Sequence, residues 1–574
     1  MRVLLLHPED RLPAGQFVRG WDLIVDFGRA PGATYQDWSR QEGCPIISVF
    51  EFARGIDDLR QCRKLLRWGT GCIIDRYGID WWDILSLGLV PDFLKLLLVD
   101  RLAKYIDRPC DLYLTRPFPL ATALQNFLNC TLTVQARGLY TITARLRHYS
   151  GILSKFDAAQ LSQIIQDKFD RHHAMRSKLL RTKTSSTIPV VLLPSAYVNV
   201  SRMAVRYAEL LPEHQFLLVF ARASGKLPSL PANVSMDPLD AYFESSTGKE
   251  EHLLDLWRIL RRKLIREENL FAAADRAGML ETVESGLRWG ARVRDAWHNV
   301  FDRERVVACL CADDTNPYTR IPLRLAKSRG VSTVACHHGA LDCWMALKNP
   351  AADSYLAKTE MECDYLTNAC NVGPEKIVMG GPGCHARAEA MTGSCERNWL
   401  VFFTEPYEIS GWRNEEIYID LLPRLLSLAE NRGLKLVFKL HPFESTRGHR
   451  KKLRRILGRR EREIEVLAGP LSDDLWHKIR FALTVESSVA LECAERGIPV
   501  FLCTWMRDPY SGYAQQYAKF GVGQALESPE GIADIPELPS AHYHSLTNMK
   551  ENIAPEMLRQ LFTKNDCLAM ASNG

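Results

Sequence analysis

The segment KLHPFES, at 439 to 445, carries a side chain that can bind phosphate. His441, followed by Pro442, comes directly after an apolar run typical of a buried strand. An imidazole at that position can donate a hydrogen bond to a phosphate oxygen. The structural alternative is a histidine that is satisfied by a backbone carbonyl.

A second polar segment, at 484 to 501, reads TVESSVALECAERGIPVF. Ser487 and Ser488, preceded by Glu486, stand between a predicted strand and a predicted helix. Hydroxyls at a helix start lie beside unpaired N–H groups, which favours phosphate binding, although one serine could simply cap the helix. Glu492, one turn beyond Ser488, lies on the same face and could accept hydrogen bonds from a ribose.

Three further sets of polar residues follow predicted strands. Glu405, in the loop TEPYE, could bind a donor sugar or cap a turn. A base that accepts a proton from an attacking hydroxyl would come from one of two pairs, and we place the acidic pair ahead: Asp313 with Asp314, which could also cap the next helix, or His337 with His338. Residues that could order the acceptor or the leaving phosphate are Asn316, Arg320 and Asp342.

The elements that must position these residues alternate between strand and helix patterns. Short apolar runs separated by amphipathic stretches predict parallel α/β sheets. Polar, turn-rich breaks divide the chain into an amino-terminal α/β domain over 1–182, a Rossmann-like domain with a helical insertion over 187–385, and a nucleotide-binding Rossmann-like domain over 396–574. We interpret GGPG, at 380 to 383, as the hinge between the last two domains.

Composition narrows the class of protein. At 574 residues the chain exceeds what one hydrophobic core usually fills, so several domains are expected. A net charge of +5 is too small for this length to indicate nucleic-acid binding. The positive charge is concentrated in the runs at 258 to 266 and 447 to 463. These basic helices could rest on the anionic inner face of a membrane, or could only form a solvated face.

The cysteines and the apolar segments favour a cytoplasmic protein. Sixteen cysteines are scattered without metal-ligand spacing, which is typical of reduced, buried thiols. The apolar stretch at the amino terminus is too short for a signal-peptide core. The segment from 84 to 99 is interrupted by Pro91, Asp92 and Lys95, so we predict no transmembrane helix.

The histidine-proline pair and the later serine pair resemble the cytidine-nucleotide site of bacterial sialyltransferases, polysialyltransferases and Kdo transferases. The order KLHP, ESS, ALE and GIPV is similar to that of GT-B and capsular polysaccharide transferases, and it covers about 187 to 540. The resemblance implies an α/β fold, namely a GT-B-like pair of Rossmann-type domains preceded by the additional amino-terminal domain. The family's acidic-glycine base motif is absent from this sequence, and the His337 region instead resembles transferases that use CDP-glycerol.

The resemblance implies a metal-independent glycosyltransferase without a cofactor, which moves a sugar from a nucleotide-activated donor to a surface or capsular polysaccharide or a lipid-linked acceptor. A cytidine nucleotide is the favoured donor. His441 would then contact the donor phosphate, Ser487 and Ser488 would hold it, and Glu492 would face the nucleoside sugar. Three alternatives remain: a non-hydrolysing UDP-N-acetylglucosamine 2-epimerase, a CDP-glycerol-type glycerophosphotransferase, and a catalytically degenerate scaffold.

Overall fold

Three parallel β-sheets, each in its own stretch of chain, form the framework of the protein. A computed structural model describes residues 1–8, 10, 20–28, 39–40, 43–114, 116–134, 187–221, 230–243, 251–337, 341, 347–382, 397–405, 414–441, 444–469, 471, 473–506, 510, 516–537 and 553–571. The segment at 152 to 182, whose apolar residues recur at helical spacing and predict a helix, lies outside these residues.

The first sheet has five strands in the order β3-β2-β1-β4-β5. Its strands are β1 (Arg2–Leu6), β2 (Leu23–Asp26), β3 (Ile46–Ser48), β4 (Asp111–Leu114) and β5 (Thr131–Val134). Its helices are α1 (Ile56–Leu66), α2 (Trp81–Ile106) and α3 (Pro119–Leu128). All five strands coincide with short strand-like runs of the sequence, at 2 to 7, 22 to 27, 45 to 50, 110 to 115 and 131 to 134, which predict a parallel sheet.

The second sheet has seven strands in the order β12-β11-β10-β9-β6-β7-β8. They are β6 (Pro189–Ser195), β7 (Phe216–Phe220), β8 (Val234–Pro238), β9 (Arg305–Cys311), β10 (Ser332–Ala335), β11 (Ser354–Ala357) and β12 (Ile377–Met379). Its helices are α4 (Val198–Ala208), α5 (Glu251–Glu267), α6 (Asn269–Arg276), α7 (Glu281–Arg303), α8 (Pro317–Ser328) and α9 (Glu360–Asp364). Helices α5 to α7 form the predicted helical insertion.

The third sheet has six strands in the order β15-β14-β13-β16-β17-β18. They are β13 (Trp399–Phe403), β14 (Lys435–Lys439), β15 (Glu465–Leu467), β16 (Ile479–Thr484), β17 (Val500–Cys503) and β18 (Gln524–Leu526). Its helices are α10 (Asn414–Asn431), α11 (Thr446–Leu457), α12 (Asp473–Trp476) and α13 (Val489–Glu495).

The strand orders have a common plan. In each sheet the first strand of the domain is central, the second and third lie on one side, and the fourth lies on the other. This is the doubly wound Rossmann arrangement, in which ligands bind beyond the carboxyl ends of the first and fourth strands. Strands such as β6 and β13 are buried along nearly their whole length, because helices cover both faces of a parallel sheet.

Helix α2 is longer than the sequence pattern suggests. Pro91 does not interrupt it, and the helix runs without a break from Trp81 to Ile106. Asp80 caps its start by accepting a hydrogen bond from the backbone N–H of Trp82 at 3.1 Å. Its apolar side chains are buried in the protein core, and no helix in the described part of the chain is long and apolar enough to cross a membrane.

The first domain and the helical insertion share one hydrophobic core. Trp82 of α2 stacks on Trp257 of α5, with ring centroids 6.1 Å apart. A buried polar contact accompanies this packing, because Asp75 accepts hydrogen bonds from Trp81 Nε1 at 3.0 Å and from Arg294 of α7 at 2.9 Å. The tryptophan pair therefore belongs to the core.

The last helix, α14 (Pro555–Ala571), differs from the predicted domain division. Leu558 and Phe562 pack against buried residues of the second sheet, rather than on the third. Just before α14, the N–H of Ile553 donates to the carbonyl of Gly381 at 2.9 Å. The end of the chain thus completes the core of the second domain, because α14 covers one face of its sheet.

Candidate functional site

The switch point of the third sheet, between β13 and β16, brings together three of its polar side chains. Thr404 and Glu405 follow β13, and Thr484 ends β16. The carboxylate of Glu405 accepts a hydrogen bond from the backbone N–H of Glu486 at 2.6 Å and from the Thr484 hydroxyl at 3.3 Å. Glu405 therefore ties the loop after β13 to the loop after β16.

His441 follows β14, the strand next to β13. Its backbone N–H donates to Thr404 Oγ1 and to a Glu444 carboxylate oxygen, each at 3.2 Å. The Thr404 hydroxyl also donates to Glu444. Burial lowers the pKa of the His441 imidazole below its ordinary value, although the charge of Glu444 acts in the opposite direction. A mainly neutral imidazole therefore lies beside the switch point at neutral pH.

The serine pair lies at the start of α13. Ser487 Oγ accepts from the backbone N–H of Val489 at 3.4 Å, whereas Ser488 is the N-cap residue but makes no side-chain capping bond. Glu492 is half-buried on the first turn, and its charge acts on the ammonium of Lys439 at the end of β14. The structure therefore brings the predicted donor residues of the third domain to one edge of the sheet.

This edge is acidic. Burial raises the pKa of Glu405 to about 7, against an ordinary value of 4.5, while hydrogen bonds from the loop at 485 to 487 oppose the increase. The glutamates around the switch point are Glu405, Glu444, Glu486 and Glu492. A ligand with hydroxyl groups would find acceptors here, whereas a phosphate would depend on backbone N–H groups, hydroxyls and Lys439.

Asp313 lies at the corresponding switch point of the second sheet, after β9. Its Oδ1 accepts from the N–H and hydroxyl of Thr315 at 2.9 and 2.5 Å. Its Oδ2 accepts a hydrogen bond from the hydroxyl of Tyr197, after β6, at 3.2 Å. The side chain is 4% exposed. Oδ1 therefore shapes the loop after β9, whereas Oδ2 contacts a side chain that follows another strand.

Asp314 has a different environment. It is fully buried, pairs with Lys348 and accepts a hydrogen bond from the Tyr355 hydroxyl at 2.8 Å. Burial would raise the pKa of Asp314, but the positive charges of Lys348 and Arg320 outweigh burial and hold that pKa well below its usual range. A buried, ion-paired carboxylate is poorly suited to accept a proton from a substrate, so the two aspartates are not equivalent.

His337, after β10, lies in the same buried cluster. Its Nε2 is 2.9 Å from the Lys348 ammonium, which must be the donor, so Nε2 is the acceptor. The imidazole also meets the ring of Tyr365 edge-on, with centroids 5.5 Å apart. One of its two nitrogens is thus already engaged by a protein cation.

Two residues predicted to order an acceptor have structural partners. Asn316 caps α8, where its side chain accepts from the N–H of Tyr318 at 3.0 Å. Arg320 is fully buried and donates to Asp83 of α2 at 2.7 Å. Its guanidinium thereby joins the first and second domains. Three predicted site residues lie outside the described part of the chain: His338, Asp342 and Pro442.

Sequence reasoning missed several members of these clusters. Lys348 precedes β11, where no local pattern suggests that its ammonium is buried, and Asp83 looks like an ordinary helix-start acid. Thr404 and Glu444 do have a local signal, because Thr404 precedes Glu405 at a strand end and Glu444 lies in the same loop as His441. Among the residues that the structure describes, no group of three or more His, Cys, Asp or Glu side chains could hold a metal ion.

The basic runs are partly neutralised within the protein. On and after α11, Arg450 and Arg454 both pair with Glu461, at 3.3 and 2.9 Å. On α5, Arg258 pairs with Asp255 at 2.7 Å. These surface pairs contribute little to stability, but they reduce the charge that each helix presents to solvent.

Similar proteins are found among solved structures and not by sequence. No protein-family model matches the chain, and no curated protein matches its sequence. The solved structures similar to it include a putative UDP-N-acetylglucosamine 2-epimerase from Listeria monocytogenes, 14% identical, covering 66% of this chain and 96% of that one, with a TM-score of 0.40. A UDP-GlcNAc 2-epimerase from Methanocaldococcus jannaschii is 10% identical over 66% of this chain and 100% of that one, with a TM-score of 0.42.

A ugt transferase from Siraitia grosvenorii, in complex with UDP, is 11% identical over 67% of this chain and 94% of its own, with a TM-score of 0.35. These TM-scores are low, and the fold is therefore defined by the strand orders of the three sheets. Those orders define an α/β protein with a GT-B-like pair of Rossmann-type domains, preceded by an additional α/β domain.

Proposed function

We propose that this protein is a glycosyltransferase that uses a nucleotide-activated sugar, with a cytidine nucleotide as the favoured donor. The observation that carries the proposal is the convergence of Thr404, Glu405 and Glu486, with His441 beside them, at the switch point of the third sheet. Open α/β sheets bind ligands at this position. The donor would lie there, with a saccharide or a lipid-linked acceptor against the second domain.

In this proposal one set of residues in the donor site binds the phosphate, and another set binds the hydroxyl groups. The His441 imidazole donates to the donor phosphate, and the hydroxyls of Ser487 and Ser488 hold that phosphate. The carboxylates of Glu405 and Glu492 accept hydrogen bonds from the hydroxyl groups of the donor sugar and the ribose. This division suits the acidic character of the edge, because most of the donor surface consists of hydroxyl groups.

The base of the proposed reaction is Asp313, through Oδ2. The acceptor oxygen forms a bond to the anomeric carbon while the bond from that carbon to the donor phosphate breaks. The nucleotide leaves with the electron pair, and the acceptor proton passes to Asp313. Asp314 and His337 would support the site from below, since both are held by Lys348. No metal ion is required in this scheme.

A nucleotide panel tests the donor assignment. Thermal melting of the full chain is measured with CMP, CDP, UDP and AMP at millimolar concentration, for the wild type and for His441→Ala. We expect a cytidine-specific increase in Tm that is lost in His441→Ala. His477→Ala is the matched control, because His477 is an exposed histidine at the opposite end of β16.

The same panel bears on the alternatives. A UDP-specific shift would contradict the cytidine assignment, and conversion of UDP-N-acetylglucosamine without any acceptor would replace the transferase with an epimerase. Transfer of glycerol phosphate from CDP-glycerol would identify the glycerophosphotransferase.

One observation favours the degenerate scaffold. The Glu405 carboxylate already accepts the loop N–H group that a donor phosphate would use. If no nucleotide shifts the Tm of the wild type, the scaffold function is the better description. Activity with any nucleotide sugar and an acceptor would exclude the scaffold.

Contact with an anionic membrane surface is a further part of the proposal. The exposed cations Arg447, Lys451 and Arg459 on and after α11 would make the contact. Co-sedimentation with vesicles containing phosphatidylserine, weakening as salt increases, is the expected result. Equal recovery with neutral vesicles would contradict it.

A further inference from the structure

A cavity lies between the first and second domains; Lys348, which pairs with Asp314, is among its lining residues, but none of the residues at the switch point of the third sheet is. The cavity has a volume of about 130 Å³ and is formed by α1, α2 and the chain at 347 to 350 and 370 to 371. Sites for drug-sized ligands measure about 300–1,000 Å³. This cavity is therefore too small for a nucleotide sugar, and it suits a small molecule or one charged group of a larger one.

The wall from the first domain is cationic. Arg63 and Arg67 are four residues apart at the end of α1, and both line the cavity. Burial lowers the pKa of Arg63 and the charge of Arg67 lowers it further, although Cys370 acts in the opposite direction. Like charges at this spacing repel, so an anion placed between them would remove an unfavourable interaction.

The carboxylate in the cavity wall is already neutralised. Asp83 accepts hydrogen bonds from Arg320 and Arg324, each at 2.7 Å. Asn349 also donates to Asp83, at 2.7 Å. The two positive charges of Arg320 and Arg324 therefore already exceed the one negative charge of Asp83, and Arg63 and Arg67 add two more. The cavity as a whole carries an excess of positive charge.

Hydrogen-bond donors in the wall remain available. Within the part of the chain that the structure describes, the side chains of Arg67, Thr70, Ser86 and Asn371 have no hydrogen-bond partner. Arg67, Thr70 and Asn371 are exposed to solvent, whereas Ser86 is 6% exposed. A bound ligand with several acceptor oxygens would accept hydrogen bonds from these groups in place of water.

We propose that this cavity binds the phosphate group of a small phosphate monoester, between Arg63 and Arg67. A phosphate monoester carries close to two negative charges at neutral pH, which match two guanidinium groups, and three oxygens that can accept from the hydroxyl and amide donors. Leu87 and Leu347 supply an apolar wall for a short carbon stem. The cavity is separate from the proposed donor site and does not depend on it.

Isothermal titration of the full chain, at constant ionic strength, tests this proposal. The probes are glycerol 3-phosphate, inorganic phosphate and acetate. We expect saturable 1:1 binding of glycerol 3-phosphate, weaker binding of inorganic phosphate and none of acetate. Arg67→Gln should weaken phosphate binding at least about tenfold, the effect of losing one charge-assisted contact of about 1.4 kcal/mol.

The matched control is Lys64→Gln, which removes one positive charge from the same helix at an exposed position outside the cavity wall. It should change the affinity less than about twofold, as surface charges contribute little. Equal weakening by both variants, or no saturable binding by the wild type, would overturn the proposal. Acetate binding as tight as phosphate binding would overturn the assignment to a phosphate.

A third variant separates this site from the donor site. His441→Ala should retain binding of glycerol 3-phosphate, and an excess of CDP should not displace it. Loss of phosphate binding in His441→Ala would show that the phosphate binds at the switch point of the third sheet, and would overturn the present proposal. Equal affinity for the two phosphates would keep the phosphate site but remove the role of the apolar wall.

Discussion

At the residue scale, Glu405 links the chemistry of the third domain to pH. Its pKa, raised by burial to about 7 from 4.5, means that the folded protein binds the proton more tightly than the unfolded chain. The stabilisation from Glu405 is therefore complete below pH 4.5, declines between pH 4.5 and 7, and is absent above pH 7. Glu405→Gln should remove this part of the pH dependence.

Thermal melting of the wild type and of Glu405→Gln, from pH 5 to pH 8, measures the effect. The Tm of the wild type should fall relative to that of the variant as the pH rises to about 7, and the difference should then become constant. A difference in Tm that is the same at every pH would show that Glu405 does not titrate in this range.

A second residue-scale prediction concerns the buried ion pair of Asp314 with Lys348. Both side chains are fully buried, so Lys348→Met leaves an uncompensated carboxylate in the core. Breaking such a pair destabilises proteins by about 3–5 kcal/mol. The free energy of unfolding, from denaturant titration, should fall by about this amount. Adding Asp314→Asn should restore part of the loss; a double variant less stable than Lys348→Met would contradict the ion-pair interpretation.

At the element scale, the contact between α2 and α7 depends on a small residue. A Cβ atom on Gly290 of α7 would lie 2.3 Å from a ring carbon of Trp81, which is fully buried. Gly290→Ala should therefore force the helices apart, with a loss of about 1–3 kcal/mol and a lower Tm.

The matched control is Gly88→Ala on the partner helix. Gly88 is exposed, and its added Cβ would meet nothing within 4 Å. Alanine is the better helix former, so this variant should stabilise the protein by about 0.5–1 kcal/mol. Equal effects of the two substitutions on Tm would argue against close packing at Gly290.

The central strands could largely be predicted from the sequence, because a buried parallel strand is a continuous apolar run with polar residues at its end. The runs at β1, β6 and β13 are of this kind. Short edge strands were missed, including β12 and β18, because neither lies within a longer apolar run. Strand ends also predicted where Glu405 and Asp313 lie.

The partners of those residues could not be predicted in the same way. The fate of Asp314 depends on Lys348, which is distant in the chain, and that of Arg320 depends on Asp83 in another domain. Pairings between remote segments are set by tertiary packing, and a single sequence contains no periodic signal for them. The sequence alone therefore could not show that Asp314 belongs to a buried ion pair whereas Asp313 does not.

At the scale of the whole molecule, the predicted hinge at GGPG lies against the segment that precedes α14. Gly380 has a φ of 145°, and an added Cβ would be 2.8 Å from Ile553 Cα. Gly380→Ala should therefore lower the free energy of unfolding by about 1–3 kcal/mol, through backbone strain and the close contact. Thermal melting would measure the loss.

Gly381→Ala serves as the control for this prediction. Its Cβ would only make ordinary contact with Lys358, at 3.4 Å, so the Tm should change little. If the two neighbouring variants melt at the same temperature, the close approach of the two chain segments is not important for stability.

The return of α14 to the second sheet also affects how the protein is made. The third domain is inserted in the sequence between the second sheet and α14. One side of the second sheet, near Leu356 and Cys336, therefore cannot be covered until Leu558 and Phe562 have been synthesised. At roughly 5–20 residues per second, translation of the intervening chain takes on the order of tens of seconds. Throughout that time the nascent chain exposes an incomplete apolar surface, which makes it a natural client of ribosome-associated chaperones.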